Sequence, residues 1–340
     1  MEEMAFNRVE RVDRVELNHE THEKGFSVFG VFSGSAFQLF TFSTFMLAAS
    51  AAADVEYIAH AGEEKLAPPH SKAAYRLAAE HKLDYLKLDL RETKDGHIVM
   101  QHDDNLYATM RWKEKVARLT LEEIQKKGRC VTRSEYKNET ITTLTEALEI
   151  AKGMRKGLWL DFKYFTPKFA AKVFRRLDEA GYGPEKLIVA TWSRPALKWV
   201  QQNRPQVRRV AHTYIKKKDD GYHVNATKTG EAGEVVCATE SDVAAALDAF
   251  GKALGLYGFN LPSAWARDPK RTGYNTSPEL IAAVKARGYW VSIWFVFHPE
   301  GGEFYRKAGA DAFVTNCKAN TFAPGKAEPS EGKDKQERGK

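Results

Sequence analysis

The chain has 340 residues, 43% hydrophobic and 29% charged; this is the balance of a globular protein, not of a disordered or fibrous one, and is long enough for a barrel domain of about 250 residues. Its net charge is +7, but the first 53 residues hold seven acidic and four basic side chains, so the remainder carries +10 and attracts anionic ligands or anionic lipid surfaces. No helix-turn-helix, zinc-finger or RNA-binding signature accompanies that charge, which gives no ground for nucleic-acid binding, and the isolated cysteines Cys130, Cys237 and Cys317 lack metal-ligand spacing.

Residues 1–24 are polar and acidic. From Gly25 to Ala53 there is no charged side chain, phenylalanine is frequent, and Ala51-Ala52-Ala53 before Asp54 satisfies the small-residue rule for signal-peptide cleavage. Only Lys24 provides the positive charge that usually precedes such a segment. Three readings stay open for this extension (residues 1–53): an export signal starting downstream of Met1, an uncleaved membrane anchor, or a buried helix. The first two place the body outside the cytoplasm, periplasmic or extracellular, or held to a membrane through residues 25–53.

From Asp54 the chain alternates short β-like runs with amphipathic ones. Strands are expected at Tyr57–His60, Tyr85–Arg91, Leu158–Lys163, Leu187–Thr191, Arg209–Tyr214, Leu256–Leu261, Trp290–Val296 and Ala312–Thr315, with His97–Gln101 as a hairpin arm after the second. Helices are expected at Ser71–His81, Thr143–Lys152, Pro167–Ala180, Arg194–Asn203, Ser241–Leu254, Pro278–Arg287 and Gly302–Ala308. Thr166 before Pro167 reads as N-cap then first helical residue, and Gly181 and Gly288 read as helix-ending glycines. Eight strand–helix units predict a closed (β/α)₈ TIM barrel over residues 54–322. A doubly wound open sheet is the alternative, and the absence of GxGxxG after the first strand counts against a dinucleotide fold. The polar stretch Lys216–Glu240 reads as a long loop after the fifth strand, a lid or a disordered insertion. Residues 323–340 read as a solvated, disordered tail.

The stretch Tyr85–Asp104 gathers chemistry. Asp95-Gly96 joins two strands, Lys87 and Asp89 share a face at a period of two, and His102-Asp103 follows the second strand. A solvated strand face is the plain alternative for the lysine and aspartate. Functional side chains of a TIM barrel lie at the C-terminal ends of its strands. Those ends supply His60, Lys87, Asp89, His102, Asp161 and Lys163, then Ser193, His212, Tyr214, Asn260, Trp294 and Asn316. Imidazoles for proton transfer, lysines for phosphate oxygens and carboxylates for a hard cation together suit phosphoryl chemistry.

These residues resemble the glycerophosphodiester phosphodiesterases, whose pattern runs HRG, PENT, ELD, TxDG, HD, ExK, WT and a terminal TD. The chain has His60-Ala61-Gly62, Pro68-Pro69-His70-Ser71, Lys87-Leu88-Asp89, Thr93-Lys94-Asp95-Gly96, His102-Asp103, Leu119-Thr120-Leu121-Glu122-Glu123, Asp161-Phe162-Lys163, Trp294-Phe295 and Gly309–Asn316. The match runs over about residues 56–318 in order. The resemblance implies the barrel of phospholipase-C-like phosphodiesterases and hydrolysis of a small phosphodiester. His60 and His102 would be the catalytic acid and base, Lys87, Lys163 and Trp294 would bind substrate, and Asp89 and Asp161 would hold Ca2+ or Mg2+.

Three departures bear on that expectation. Ala61 replaces an arginine able to clamp phosphate, Pro69 replaces the PENT glutamate, and Lys87 stands where the family has a metal-binding glutamate. Either the Lys87 ammonium takes the cation's place, or the site survives as a phosphoryl-ligand or lipid-headgroup binder without hydrolysis. A sugar-active barrel, using the two aspartates as a carboxylate pair, would leave the lysines without a role. Elsewhere plain readings lead. His212 and Tyr214 read as satisfied interior groups, Trp192, Trp265 and Trp290 as packing, and His70, His81 and His298 as surface residues, with His70 at a PENT position near the pocket. Asp103 and Asp104 read as caps of the following turn.

Overall fold

The computed structural model describes residues 54–226, 234–263 and 276–316. The expectations for residues 1–53, the tail, Trp265 and Cys317 lie outside the described residues. Eight short runs, nearly all buried, pair in parallel: β1 (Glu56–Ala59), β2 (Tyr85–Glu92), β3 (Gly157–Phe162), β4 (Leu187–Thr191), β5 (Arg208–His212), β6 (Gly258–Pro262), β7 (Trp290–Trp294) and β8 (Ala312–Thr315). Each pairs with the next in sequence, and β1 pairs with both β8 and β2, so the sheet closes on itself as a (β/α)₈ barrel.

Alternation along the strands separates two cores. Leu86, Leu88 and Leu90 of β2 with Leu158, Leu160 and Phe162 of β3 face the surrounding helices, whereas Tyr85, Trp159, Ile188, Val210 and Val314 fill the barrel interior. Lys87 and Asp89 have the parity of Tyr85, and Asp161 that of Trp159. Their polar side chains therefore stack inside the barrel above an apolar floor, and register sets Asp89 directly beside Asp161.

The helical segments start where their caps dictate. Ser71, Thr166, Ser193 and Ser277 each accept a backbone N–H of the first turn, and Pro167 sits at the first helical position. Gly181 and Gly288 take positive φ just past helix ends, as expected. A helix at Leu121–Lys127, absent from the sequence reading, carries a capping box between Thr120 and Glu123. Its first amide is also met by Asp95, whose turn uses Gly96 at φ +83°.

The stretch read as a polar loop after the fifth strand is instead an antiparallel sheet of Tyr214–Lys218, Gly221–Asn225 and Val235–Cys237. Its lysines face solvent while Ile215, Tyr222 and Val224 are buried, and Asp219-Asp220 is the two-residue turn. Cys130 and Cys237 are buried free thiols, and burial first, then Glu139, pushes Cys130 up to about 11. No helix among the described residues is long and apolar enough to cross a membrane.

Candidate active site

The polar layer of the barrel opens into a cavity of about 830 Å³ at the C-terminal ends of the strands, lined by His60, Lys87, His102, Asp161, Lys163 and Trp294 among others. Six of the seven site residues expected from sequence therefore share one cavity. The seventh, Asp89, is fully buried behind it and touches its lysines.

Lys87 contacts Asp89 Oδ1 and lies 3.4 Å from Asp161 Oδ2; Lys163 lies 2.7 Å from Asp161 Oδ2 and 3.6 Å from Asp89 Oδ1. Two ammoniums and two carboxylates thus form a compact, charge-balanced group. Burial alone would raise the Asp89 and Asp161 carboxyls, but Lys163 and Lys87 outweigh it and hold both well below the usual range. The same pairing holds the Lys163 ammonium up against its own burial.

Two further histidines hold this group in place. His70, expected at the surface, is buried with Nε2 2.9 Å from Asp89 Oδ2 and Nδ1 3.0 Å from the Tyr75 hydroxyl. Its backbone turns through φ +60°, and Thr142 donates to its carbonyl, so the loop after β1 folds inward onto Asp89. His212 at the end of β5 places Nε2 3.4 Å from Asp161 Oδ2 and Nδ1 2.8 Å from Asn260 Nδ2, while Ser292 donates to Asn260 Oδ1. An amide donor at Nδ1 leaves the His212 proton on Nε2, directed at Asp161. Burial pushes both imidazoles down, outweighing their aspartate partners, so both are neutral at pH 7.

The two histidines at the cavity mouth are built differently. His60 Nδ1 is 2.6 Å from Glu64 Oε1, and His102 Nδ1 is 2.9 Å from Asp103 Oδ1, so a carboxylate holds the Nδ1 proton of each ring and Nε2 is left for chemistry. Glu64 stays ionised because His60 outweighs the burial that would raise it. Gly62 is required here: at φ +84°, a Cβ would lie 2.6 Å from the Ala74 carbonyl carbon. The His102 side chain is 59% exposed. Partial desolvation, then the Lys163 charge, lowers its pKa. Arg91 donates two hydrogen bonds to the His102 carbonyl and lines the cavity, an anchor the sequence reading missed.

The opposite wall is aromatic. Trp192 stacks on Tyr214 at 4.4 Å, and Trp294 meets Tyr214 at 5.5 Å and Phe295 at 5.4 Å. Trp192 therefore belongs to the cavity as well as to packing, whereas Trp290 packs on Trp159 in the interior.

A hard divalent ion takes six or more oxygens. The carboxylates expected to bind one face Lys87 and Lys163, and Lys87 reaches both of them. Asp161 Oδ1 alone is a buried carboxylate oxygen of the pair with neither a hydrogen bond nor an ion pair, and one oxygen does not make a shell. Among the described residues no group of three His, Cys, Asp or Glu side chains is placed to hold a metal. The donor set fits two ammoniums, not Ca2+ or Mg2+.

Comparison with known proteins agrees with this architecture. A glycerophosphodiester phosphodiesterase of Caldanaerobacter subterraneus is 25% identical over 263 residues, 76% of this chain and 93% of that protein. Among solved structures, an Oleispira antarctica phosphodiesterase in complex with the product sn-glycerol-3-phosphate matches with TM-score 0.60 and 20% identity over 78% of this chain and 94% of that one. A putative glycerophosphoryl diester phosphodiesterase from Silicibacter pomeroyi matches with TM-score 0.61 and 17% identity over 79% and 92%. The model of the glycerophosphoryl diester phosphodiesterase family matches residues 60–317. The chain belongs to that family of phosphoric diester hydrolases.

Proposed function

We propose that this cavity hydrolyses glycerophosphodiesters with His60 and His102 as acid and base, and with Lys87 in the place of a metal ion. The carrying observation is that two carboxylate-held imidazoles open on the same cavity as a buried, balanced Lys–Asp cluster. His102, with its lowered pKa, is neutral at pH 7 and takes the proton of a glycerol hydroxyl attacking phosphorus. His60, beside ionised Glu64, gives a proton to the departing alcohol oxygen. In the second half the roles reverse: His60 takes a proton from water, which opens the cyclic phosphate, and His102 returns one to the glycerol oxygen. Lys163 and Lys87 meet the phosphoryl oxygens as negative charge grows on them.

The test is hydrolysis of glycerophosphocholine by the parent, His60→Ala and His102→Ala, with and without a chelator. Each variant is expected to lose about 10²–10⁴-fold in kcat/KM, and the chelator to change nothing. Unchanged turnover in both variants would sink the assignment. Binding of glycerophosphocholine by the parent without any turnover would replace it with a phosphoryl-ligand binder.

A further inference from the structure

Between β2 and β3 the chain makes a long excursion whose surface the hydrolytic reading does not use. Positions 105–133 hold eight lysines and arginines against three glutamates, half of the excess charge of the body. Asn105–Leu106 pairs with Trp112–Lys115 in a small antiparallel sheet, and Asn105 itself lines the cavity.

Charge is combined here with exposed apolar surface. Tyr107 is 46% exposed, with Arg111 and Lys113 over its ring at 5.2 and 5.9 Å; Lys127 lies 4.6 Å over Trp112. Among the described residues none of these three cations has a carboxylate partner. Val131, 51% exposed, is tied by its amide to the Thr109 carbonyl of the same segment. Arg133 then donates to the Lys65 carbonyl, beside Leu66, 38% exposed, on the loop that carries His60. One continuous rim thus runs from Leu66 through Val131 to Tyr107, joined at both ends to residues of the cavity.

We propose that this rim docks on an anionic lipid bilayer and seats the cavity mouth at its surface. Lysines and arginines attract anionic headgroups within a Debye length, while an exposed tyrosine and aliphatic side chains gain by entering the acyl boundary. A soluble polyanion would reward the cations and leave Leu66, Tyr107 and Val131 in water, so the combination favours a bilayer. The proposal does not depend on turnover, and its test reads binding alone.

The test uses the full chain carrying Cys317→Ser, with an environment-sensitive fluorophore on Val131→Cys or, as a control at the other end of the barrel, on Tyr257→Cys. Cys130 and Cys237 are buried. With phosphatidylglycerol-containing vesicles the label at 131 is expected to brighten at least about twofold, with little response on pure phosphatidylcholine and none at 257. Arg111→Glu with Lys113→Glu is expected to lower the apparent vesicle affinity read at 131 at least ~10-fold, even where another segment keeps the chain on the vesicle. No response at 131, an equal response at 257, or a response untouched by the charge reversal overturns the proposal. A label that brightens with heparin as it does with vesicles marks a general polyanion surface and overturns it too.

Discussion

The two walls of the cavity obey different rules. The wall built on β1–β3 holds Lys87, Asp89, Asp161 and Lys163, and every buried charge there touches its opposite. The wall built on β4–β7 holds Trp192, Tyr214, Trp294 and Phe295, which contact one another ring to ring. Buried charge costs several kcal/mol per ion when unpaired, so the first wall tolerates almost no change in its charge count. The second has none to balance. His212 is the seam: its ring centroid is 5.4 Å from that of Trp192 and its Nε2 is 3.4 Å from Asp161. On the proposed reading the phosphoryl group lies against the first wall and the organic parts of the substrate against the second.

Among the residues of the two walls, the largest loss of turnover is expected from Lys163→Met. It leaves Asp89 and Asp161 with one ammonium between them, an uncompensated buried charge of the kind that costs about 3–5 kcal/mol. It also removes a donor to the developing phosphoryl charge, about 10²–10³-fold in kcat/KM. Urea unfolding and steady-state kinetics read the two losses separately. A variant within threefold of the parent on kcat/KM would show that the charged wall does not meet phosphate.

Lys87→Glu shifts the balance further in the same direction and gives the wall three carboxylates against one ammonium. Without divalent ions it is expected to unfold earlier than the parent. With millimolar Ca2+ or Mg2+ its Tm is expected to rise, because an ion that binds only the folded state stabilises it. The parent is expected to show no such rise. A parent stabilised by Ca2+ as strongly as the variant would mean that Lys87 does not fill the cation's place.

How far this wall was legible depends on the distance over which each residue is held. Lys87, Asp89, Asp161 and Lys163 were legible because a strand's period of two settles their faces and barrel register brings the strands together. His70 was not: its burial depends on a left-handed turn and on Thr142, 72 positions away, and neither leaves a periodic trace. Glu64 and Arg91 escaped for the same reason, since each acts through one contact with a histidine, not through a pattern. The sheet after β5 was hidden by composition: its lysines made Lys216–Lys218 look like loop, although the Asp219-Asp220-Gly221 cluster is a turn signal. The eight barrel strands, buried and short, were legible to within one or two residues at most ends.

On the aromatic wall a smaller effect is expected. Trp294→Leu keeps apolar volume but removes a ring that packs on Tyr214 and Phe295 and donates to the Asn260 carbonyl. If the wall only holds the organic part of the substrate, KM for glycerophosphocholine rises about tenfold while kcat stays nearly constant, the signature of lost uniform binding. A fall in kcat with KM unchanged would place Trp294 at the reacting atoms and erase the division between the walls.

The smallest effect belongs to the mouth, where Asp103 holds His102. As the proposed base, His102 must be neutral, so log kcat/KM falls as pH drops through its pKa, which lies below the ordinary 6.5 because desolvation and then Lys163 disfavour the imidazolium. The Asp103 carboxylate opposes that depression by favouring the charged ring. Removing it in Asp103→Asn lowers the His102 pKa further, leaves more neutral base at any acidic pH, and moves the acid limb to lower pH. Both groups are largely solvated, with side chains 59% and 47% exposed, so water and salt screen the pair and the displacement is only a fraction of a unit. An acid limb left in place while the alkaline limb moved to lower pH in Asp103→Asn would mean that the protonated ring is the active form, and the roles of His60 and His102 would have to be exchanged.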